Sequence, residues 1–121
     1  MIRALDPIVD LDAVIRAYHE AADYWTMADG TAPDAAKAAA FFTDCPPGCD
    51  PARSHRLGLF VGGRLSGLAE LSFGFPEPED AYLGQMILAP RARGSGHGRT
   101  LLAEVERRAR AEGAPRLYLA V

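Results

Sequence analysis

Between Pro90 and Leu102 the chain reads Pro-Arg-Ala-Arg-Gly-Ser-Gly-His-Gly-Arg-Thr-Leu-Leu. Glycines alternate with other residues, arginines stand on both sides, and a leucine pair follows. Residues of this kind at this spacing suit one task, the close approach of an anion to a backbone. The first amides of a helix have no partner within it, and the helix dipole leaves them partly positive. Glycine removes the Cβ that would hold a ligand away. A phosphate or pyrophosphate is the natural guest, and a glycine-rich helix start with no ligand is the alternative. A P-loop requires Gly-Lys followed by Ser or Thr; no Gly-Lys occurs, and the single lysine is Lys37. The dinucleotide fingerprint requires a further glycine three residues after its second. Counted from Gly94 and Gly96, that position is Arg99. Both nucleotide cradles are disfavoured.

The other chemically capable pair is Cys45 and Cys49, in Asp-Cys-Pro-Pro-Gly-Cys-Asp. A structural zinc site takes four ligands, and although Asp50 and His55 lie nearby there is no second cysteine pair. The two read as reduced loop thiols, with a redox disulfide as the alternative. No metal site is expected.

The elements that must hold the glycine stretch follow from periodicity. Met1 to Leu5 reads as a strand. Asp10 stands where it can cap a helix, after which Leu11, Val14, Ile15, Tyr18, Ala22 and Trp25 recur at helical spacing until Asp29-Gly30. Thr31 is placed to cap a second helix, with Pro33 in its first turn and Asp34 at the capping-box position. That helix reaches Phe41-Phe42 and ends before Pro46-Pro47-Gly48. From Leu57 the period becomes two. Leu57–Val61 is a strand, and Gly62-Gly63 supplies a tight hairpin turn. The return strand puts Leu65, Ala69, Leu71 and Phe73 on one face, with Ser66, Glu70 and Ser72 on an opposite, solvated one. Ala81 to Leu88 reads as a central strand. After the glycines, Leu101, Leu102, Val105 and Ala109 mark the buried stripe of a helix. Glu104 and Arg108 form an i,i+4 pair on its wet side, and Gly113 and Pro115 end it. Leu117–Val121 is the last strand. The closing strand–loop–helix–strand is one βαβ unit, so its strands are expected to be parallel.

The bulk numbers bound what this can serve. A chain of 121 residues suits one domain. Thirteen basic against sixteen acidic residues leave a net charge of −3, which speaks against nucleic-acid or acidic-membrane partners. No apolar run approaches a membrane span, and the start lacks an export signal. A cytoplasmic location is expected.

The stretch from Leu88 to Leu102 resembles the acetyl-CoA signature of the GNAT superfamily of N-acetyltransferases. That signature is a Gln or Arg, two residues, Gly, one residue, then Gly or Ala, and it falls on Arg93, Gly96 and Gly98. Pro90, three before the arginine, and the double leucine also match. His97 stands where the family usually has an aliphatic residue and reads as a tolerated side chain on the first helical turn. The element order over residues 1–121 agrees with the family's first five strands and three helices. Asp23-Tyr24, Pro46-Pro47-Gly48 and Tyr82–Met86 further resemble a bacterial branch.

The resemblance implies an α/β fold with a mixed, mainly antiparallel sheet, flanking helices and a parallel βαβ unit at the cofactor loop. It implies a single acetyl-CoA-binding core that moves an acetyl group directly to a primary amine on a small molecule or peptide. Met86, Ile87 and Leu88 would line the pantetheine arm, the adjoining strand splaying away to admit it. The amides of Gly94, Ser95, Gly96, His97, Gly98 and Arg99 would receive the pyrophosphate. Arg93 would anchor the loop, and the amide near Leu88 would stabilise the oxyanion. Family members often carry a carboxylate base on the strand before the loop. Asp80, Tyr82, Gly84, Met86 and Leu88 alternate onto one face, which makes Asp80 the candidate, with plain membership of the Glu-Pro-Glu-Asp turn as its alternative, and Glu70 a weaker one. Asp23 and Asp29 could attract a cationic amine, or simply face solvent.

The family normally continues with another helix and two more strands, roughly 30 residues, and that helix carries the tyrosine that protonates the thiolate. Tyr118 does not match its position. The chain is therefore expected to be a fragment whose last strand pairs with another chain or with residues absent here. The alternative function is a non-catalytic acyl-CoA-binding or regulatory module.

Overall fold

The computed structural model describes residues 1–23 and 34–119. Trp25, the helix stop at Asp29-Gly30, the cap at Thr31 with Pro33, and Ala120 and Val121 lie outside them. The elements are β1 (Ile2–Ala4), α1 (Leu11–Glu20), α2 (Ala35–Ala40), β2 (His55–Val61), β3 (Arg64–Phe73), β4 (Ala81–Leu88), α3 (His97–Ala111) and β5 (Leu117–Leu119). The strands lie in the sheet in chain order. β1 to β4 run antiparallel and β5 is parallel to β4. This is the mixed α/β sheet with a terminal βαβ unit that the sequence implies.

Helix ends follow local chemistry, with two departures from expectation. Asp10 precedes α1 but its carboxylate caps nothing. It accepts from both terminal nitrogens of Arg3 at 2.9 and 2.8 Å and from the Asp6 amide at 2.7 Å, because a charged guanidinium fork outcompetes neutral helix amides. That partner holds Asp10 down to a pKa of about 2. Asp34 itself caps α2, accepting the Lys37 amide at 2.7 Å, and the helix stops at Ala40, short of the two phenylalanines. The hairpin glycines Gly62 and Gly63 take φ of 58° and 79°, as the turn requires.

The helices pack on both faces of the sheet. One core joins Val14, Ala17 and Tyr18 of α1 to Phe41, Leu65, Leu68 and Ile87. The other joins Leu101, Val105 and Ala109 of α3 to Leu57, Leu71, Ala81 and Leu83. Every residue of β3 from Leu65 to Phe73 is consequently buried. The face bearing Ser66, Glu70 and Ser72, expected to be solvated, is covered. A period of two separates the two sides of a strand but does not say which is wet.

Two bulges reset the register. On β3, Phe60 pairs with Leu65 but Leu59 with Gly67, so Ser66 is the extra residue. Arg56 thereby stands opposite Glu70 rather than Ala69. On β4, Glu70 pairs with Gln85 and Leu71 with Leu83, so Gly84 is the extra residue. The expected alternation from Asp80 to Leu88 breaks there. Ala81 and Leu83 share the α3-side core with Met86, while Tyr82 lies across from Ser72.

Candidate functional site

The glycine stretch forms a sharp path from the sheet into α3. β4 ends at Leu88, Pro90–Ala92 make a single 3-10 turn, and Gly94 and Gly96 take φ of 79° and 85°. Gly96 is the N-cap residue of α3, and no side chain caps that helix. The first intrahelical bond runs from Thr100 N to Gly96 O at 3.1 Å. The amides of His97, Gly98 and Arg99 therefore lie ahead of the ladder, available to an external acceptor. At Gly98 a Cβ would come within 3.1 Å of Leu88 Cδ1. The glycine thus lets the helix start sit against the end of β4.

Arginines fix this path without closing it. Arg93 Nε donates to Leu88 O at 3.1 Å, and its terminal nitrogens reach the two Asp23 oxygens at 2.8 and 3.3 Å. It anchors the loop start to the end of β4 and to the segment after α1, and Asp23 is committed to it. Arg91 donates to Glu20, to Ser66 Oγ and to Leu65 O, and its charge lowers the pKa of Glu20. The β3 bulge thus doubles as a seat for the loop. Arg99 is exposed and stands in the first turn of α3.

Beside the loop, β4 offers an open edge. Its pairing with β5 runs Ala81↔Leu117, Tyr82↔Tyr118 and Leu83↔Leu119. From Gly84 onward it has no partner on that side among the described residues. Ala89 N bonds Ser66 O on β3 at 2.9 Å, so by strand alternation the Leu88 amide faces the opposite, open edge. Met86 and Leu88 turn their side chains toward α3, whereas Ile87 is buried beneath α1 at 3% exposure.

A polar row crosses the sheet a few residues away. Arg56, Glu70 and Gln85 stand side by side on β2, β3 and β4, and Tyr18 of α1 donates its hydroxyl to Gln85 Oε1 at 3.2 Å. Glu70 is 6% exposed. Its Oε1 accepts from Ser72 Oγ at 2.8 Å and lies 3.7 Å from Arg56 Nη1. That nitrogen donates instead to Phe41 O and Asp44 O at 2.7 and 2.6 Å. Burial pushes the Glu70 carboxyl above its ordinary pKa, opposed by the Ser72 hydrogen bond and the Arg56 charge.

Asp80 is not brought into this row or to the loop. It sits at the turn before β4, 1% exposed, accepting from Arg116 Nε at 2.9 Å and from the Glu77 amide at 3.3 Å. The residues that simple pattern reading undervalued are Arg56, Glu70, Gly84 and Gln85. Gly84 interrupting an apolar strand was the available signal, since a glycine inside a strand often marks a bulge.

Cys45 and Cys49 are free thiols, the Cys45 Sγ donating to Cys49 O at 3.3 Å. Among the described residues no cluster of three or more His, Cys, Asp or Glu could hold a metal. No helix there is long and apolar enough to cross a membrane. Tyr118 and Leu119 on β5 are 42% and 51% exposed.

An uncapped helix start behind a positive-φ loop, set against a strand edge that has no partner among the described residues, defines an α/β protein whose backbone amides are open to an anion. The acetyltransferase (GNAT) family model matches residues 14–121, and the chain belongs to that family. Its structure is similar to an acetyltransferase from Thermus thermophilus, at 25% identity and a TM-score of 0.77. That match covers 100% of this chain and 75% of that one. It is also similar to the PaiA N-acetyltransferase of Thermoplasma acidophilum in complex with coenzyme A. There the identity is 22%, the TM-score 0.72 and the coverage 100% and 78%. A ribosomal-protein-alanine N-acetyltransferase from Brucella melitensis matches at 20% identity and a TM-score of 0.71, covering 98% of this chain and 77% of that one. The last two likenesses are of fold. No curated protein matches the chain.

Proposed function

We propose that the chain transfers an acetyl group from acetyl-CoA directly to a primary amine. The observation that carries this reading is the uncapped start of α3 behind Gly94 and Gly96, placed beside the edge of β4 that has no partner among the described residues. The residues present fit CoA. The amides from Gly94 to Arg99 take the pyrophosphate, aided by the charge of Arg99 and the helix dipole. Arg93 keeps the loop in shape by tying it to Leu88 O and Asp23. Met86, Ile87 and Leu88 offer backbone groups to the pantetheine as a neighbouring strand would. The bound thioester supplies the activated acyl group. The Leu88 amide, facing the open edge, polarises the thioester carbonyl and stabilises the negative charge that develops on its oxygen.

The acceptor is read only to its class, a primary amine on a small molecule or a peptide. It must be neutral to attack, so it must give up a proton.

The test is titration calorimetry with acetyl-CoA, followed by thiol release in the presence of 1,4-diaminobutane, free lysine or an alanine-starting peptide. Saturable binding and amine-dependent thiol release are expected. Binding without release from any of the amines would point to the alternative acyl-CoA-binding module. Absence of binding at millimolar acetyl-CoA sinks the CoA reading altogether.

A further inference from the structure

We propose that Glu70 accepts the proton of the attacking amine through water, and that the absence of a side chain at Gly84 lets its carboxylate reach the open edge of β4. This rests on the acetyl-transfer reading above and adds the group which that reading leaves unassigned.

The geometry comes from the β4 bulge. Gly84 is the extra residue between the pairs Glu70↔Gln85 and Leu71↔Leu83. A Cβ on it would lie 2.6 Å from Glu70 Oε2, 3.3 Å from Cδ and 3.5 Å from Oε1. The carboxylate thus fills the space that a side chain at 84 would take. Gly84 is also the first residue of β4 past its last described pairing with β5, Leu83↔Leu119. The carboxylate therefore meets β4 where the edge opens, four residues or about 13 Å up the strand from Leu88. Asp80 is eight residues from Leu88, about 26 Å along an extended strand, with Arg116 and the Glu77 amide on its oxygens.

The two oxygens of Glu70 are unequal. Oε1 accepts from Ser72 and faces Arg56. Oε2, the oxygen against Gly84, accepts no hydrogen bond from the described residues. The groups that face this carboxyl are Arg56 on β2, Ser72 on β3, Gln85 on β4 with Tyr18 of α1 behind it, and Asp44 and Cys49 from the segment between α2 and β2. Desolvation outweighs the Arg56 and Ser72 contributions and leaves Glu70 more basic than an ordinary glutamate, closer to the range in which a base works near neutral pH.

The step balances without any further reactant. The amine nitrogen bonds to the thioester carbonyl carbon, and the C–S bond breaks with its electron pair leaving on sulfur. The N–H proton passes through water to Glu70 Oε2, because the carbonyl held at Leu88 lies beyond the reach of a direct hydrogen bond. The CoA thiolate takes a proton from water, and Glu70 returns its proton to water.

The test compares wild type with Glu70→Gln and Gly84→Ala, using acetyl-CoA and an amine that the wild type acetylates. Glu70→Gln should lower kcat by about 100-fold or more, remove the Glu70 part of the acid limb of kcat/KM, and leave acetyl-CoA affinity within about twofold by calorimetry. Gly84→Ala should fold, because the atom it meets is the far end of a flexible side chain. It should lower kcat by at least about tenfold with affinity retained. Glu70→Gln with kcat and pH profile intact overturns the proposal, and so does a parallel loss of acetyl-CoA binding, which marks a structural role. If Glu70→Gln does not fold, Gly84→Ala decides, and an undiminished kcat overturns the proposal. Wild type that binds acetyl-CoA but acetylates no amine overturns the transfer reading and this one together.

Discussion

Asp80 and Glu70 are both buried carboxylates beside β4, and the fold treats them in opposite ways. Asp80, at 1% exposure, meets a guanidinium in hydrogen-bonding geometry and a backbone amide as well. It ties the turn before β4 to the chain entering β5, where Ala81 N also bonds Arg116 O at 3.0 Å. Glu70, at 6% exposure, has its cation at 3.7 Å, turned toward two backbone carbonyls. One of its oxygens is left to a gap made by a glycine. Burial alone therefore does not mark a reactive group; the contrast lies in how completely each charge is met.

The largest expected effects break this comparison if it is wrong. Glu70→Gln should reduce turnover by about 100-fold or more while changing stability little. Asp80→Asn should do the reverse. It replaces one of the two accepting oxygens of a side chain with almost no exposure by an NH2 that faces a donor, at a cost of about 1–3 kcal/mol. Turnover below the melting range should stay close to wild type. Urea unfolding and steady-state kinetics on the same two proteins read both quantities. A collapse of turnover in Asp80→Asn without loss of stability would return the base to Asp80.

The contrast also explains what was legible in the chain. The glycine loop is a local feature. Its amides, its Gly96 conformation and the uncapped helix start all arise from consecutive residues, so the motif at Arg93, Gly96 and Gly98 was readable directly. Element order was readable for the same reason, down to the hairpin at Gly62-Gly63 and the helix stop at Gly113, whose φ is 83°. The Glu70 row depends on two register shifts and on helices returning to cover the sheet. Counted back from the hairpin turn, Arg56 faces Ala69; the bulge at Ser66 moves it opposite Glu70. Counted along β4, Tyr82 and Met86 share a face; the bulge at Gly84 separates them. Each shift is one residue, and one residue reverses every assignment of side. Asp10 is a milder case, its capping role lost to an arginine that sequence spacing does not place.

The loop supplies the middle-sized effect and sharpens the distinction between backbone and side-chain chemistry. Gly98→Val places a branched side chain against Leu88, where even a Cβ lies 3.1 Å from Cδ1. It should weaken acetyl-CoA binding by at least about tenfold, roughly 1.4 kcal/mol, through displacement of the helix start. Gly96→Ala meets no atom within 4 Å, but a φ of 85° costs a non-glycine residue about 1–2 kcal/mol. It should lower stability or reshape the loop, with a smaller loss of affinity. Calorimetry and thermal melting on both variants separate contact from conformation. Equal affinity losses would mean that the pyrophosphate cradle does not depend on the seating of Gly98.

The smallest effect is a matter of sign, and it contrasts Glu70 with the carboxylates that are well paired. Asp10, beside Arg3, and Glu104, beside Arg107 and Arg108, are each held down to a pKa of about 2. Their native states bind the proton more weakly than the unfolded chain does. The stability they contribute is present above their ordinary values of 3.8 and 4.5 and is lost as pH falls toward about 2. Glu70 runs the other way. Its ordinary value is 4.5 and its native value is higher, so between the two the native state holds more protons than the unfolded one. Wild-type stability is then eroded by Glu70 as pH rises through that window. Glutamine at 70 has no proton to lose, and every other titrating group is common to both proteins. The stability of Glu70→Gln relative to wild type should therefore climb as pH rises from about 4.5, then level off above the native pKa of Glu70. Paired urea melts across the acid-to-neutral range measure that difference directly. A flat difference would mean that burial leaves the Glu70 carboxyl no more basic in the native state than in the unfolded chain, and with it the physical basis for singling out Glu70 would be gone.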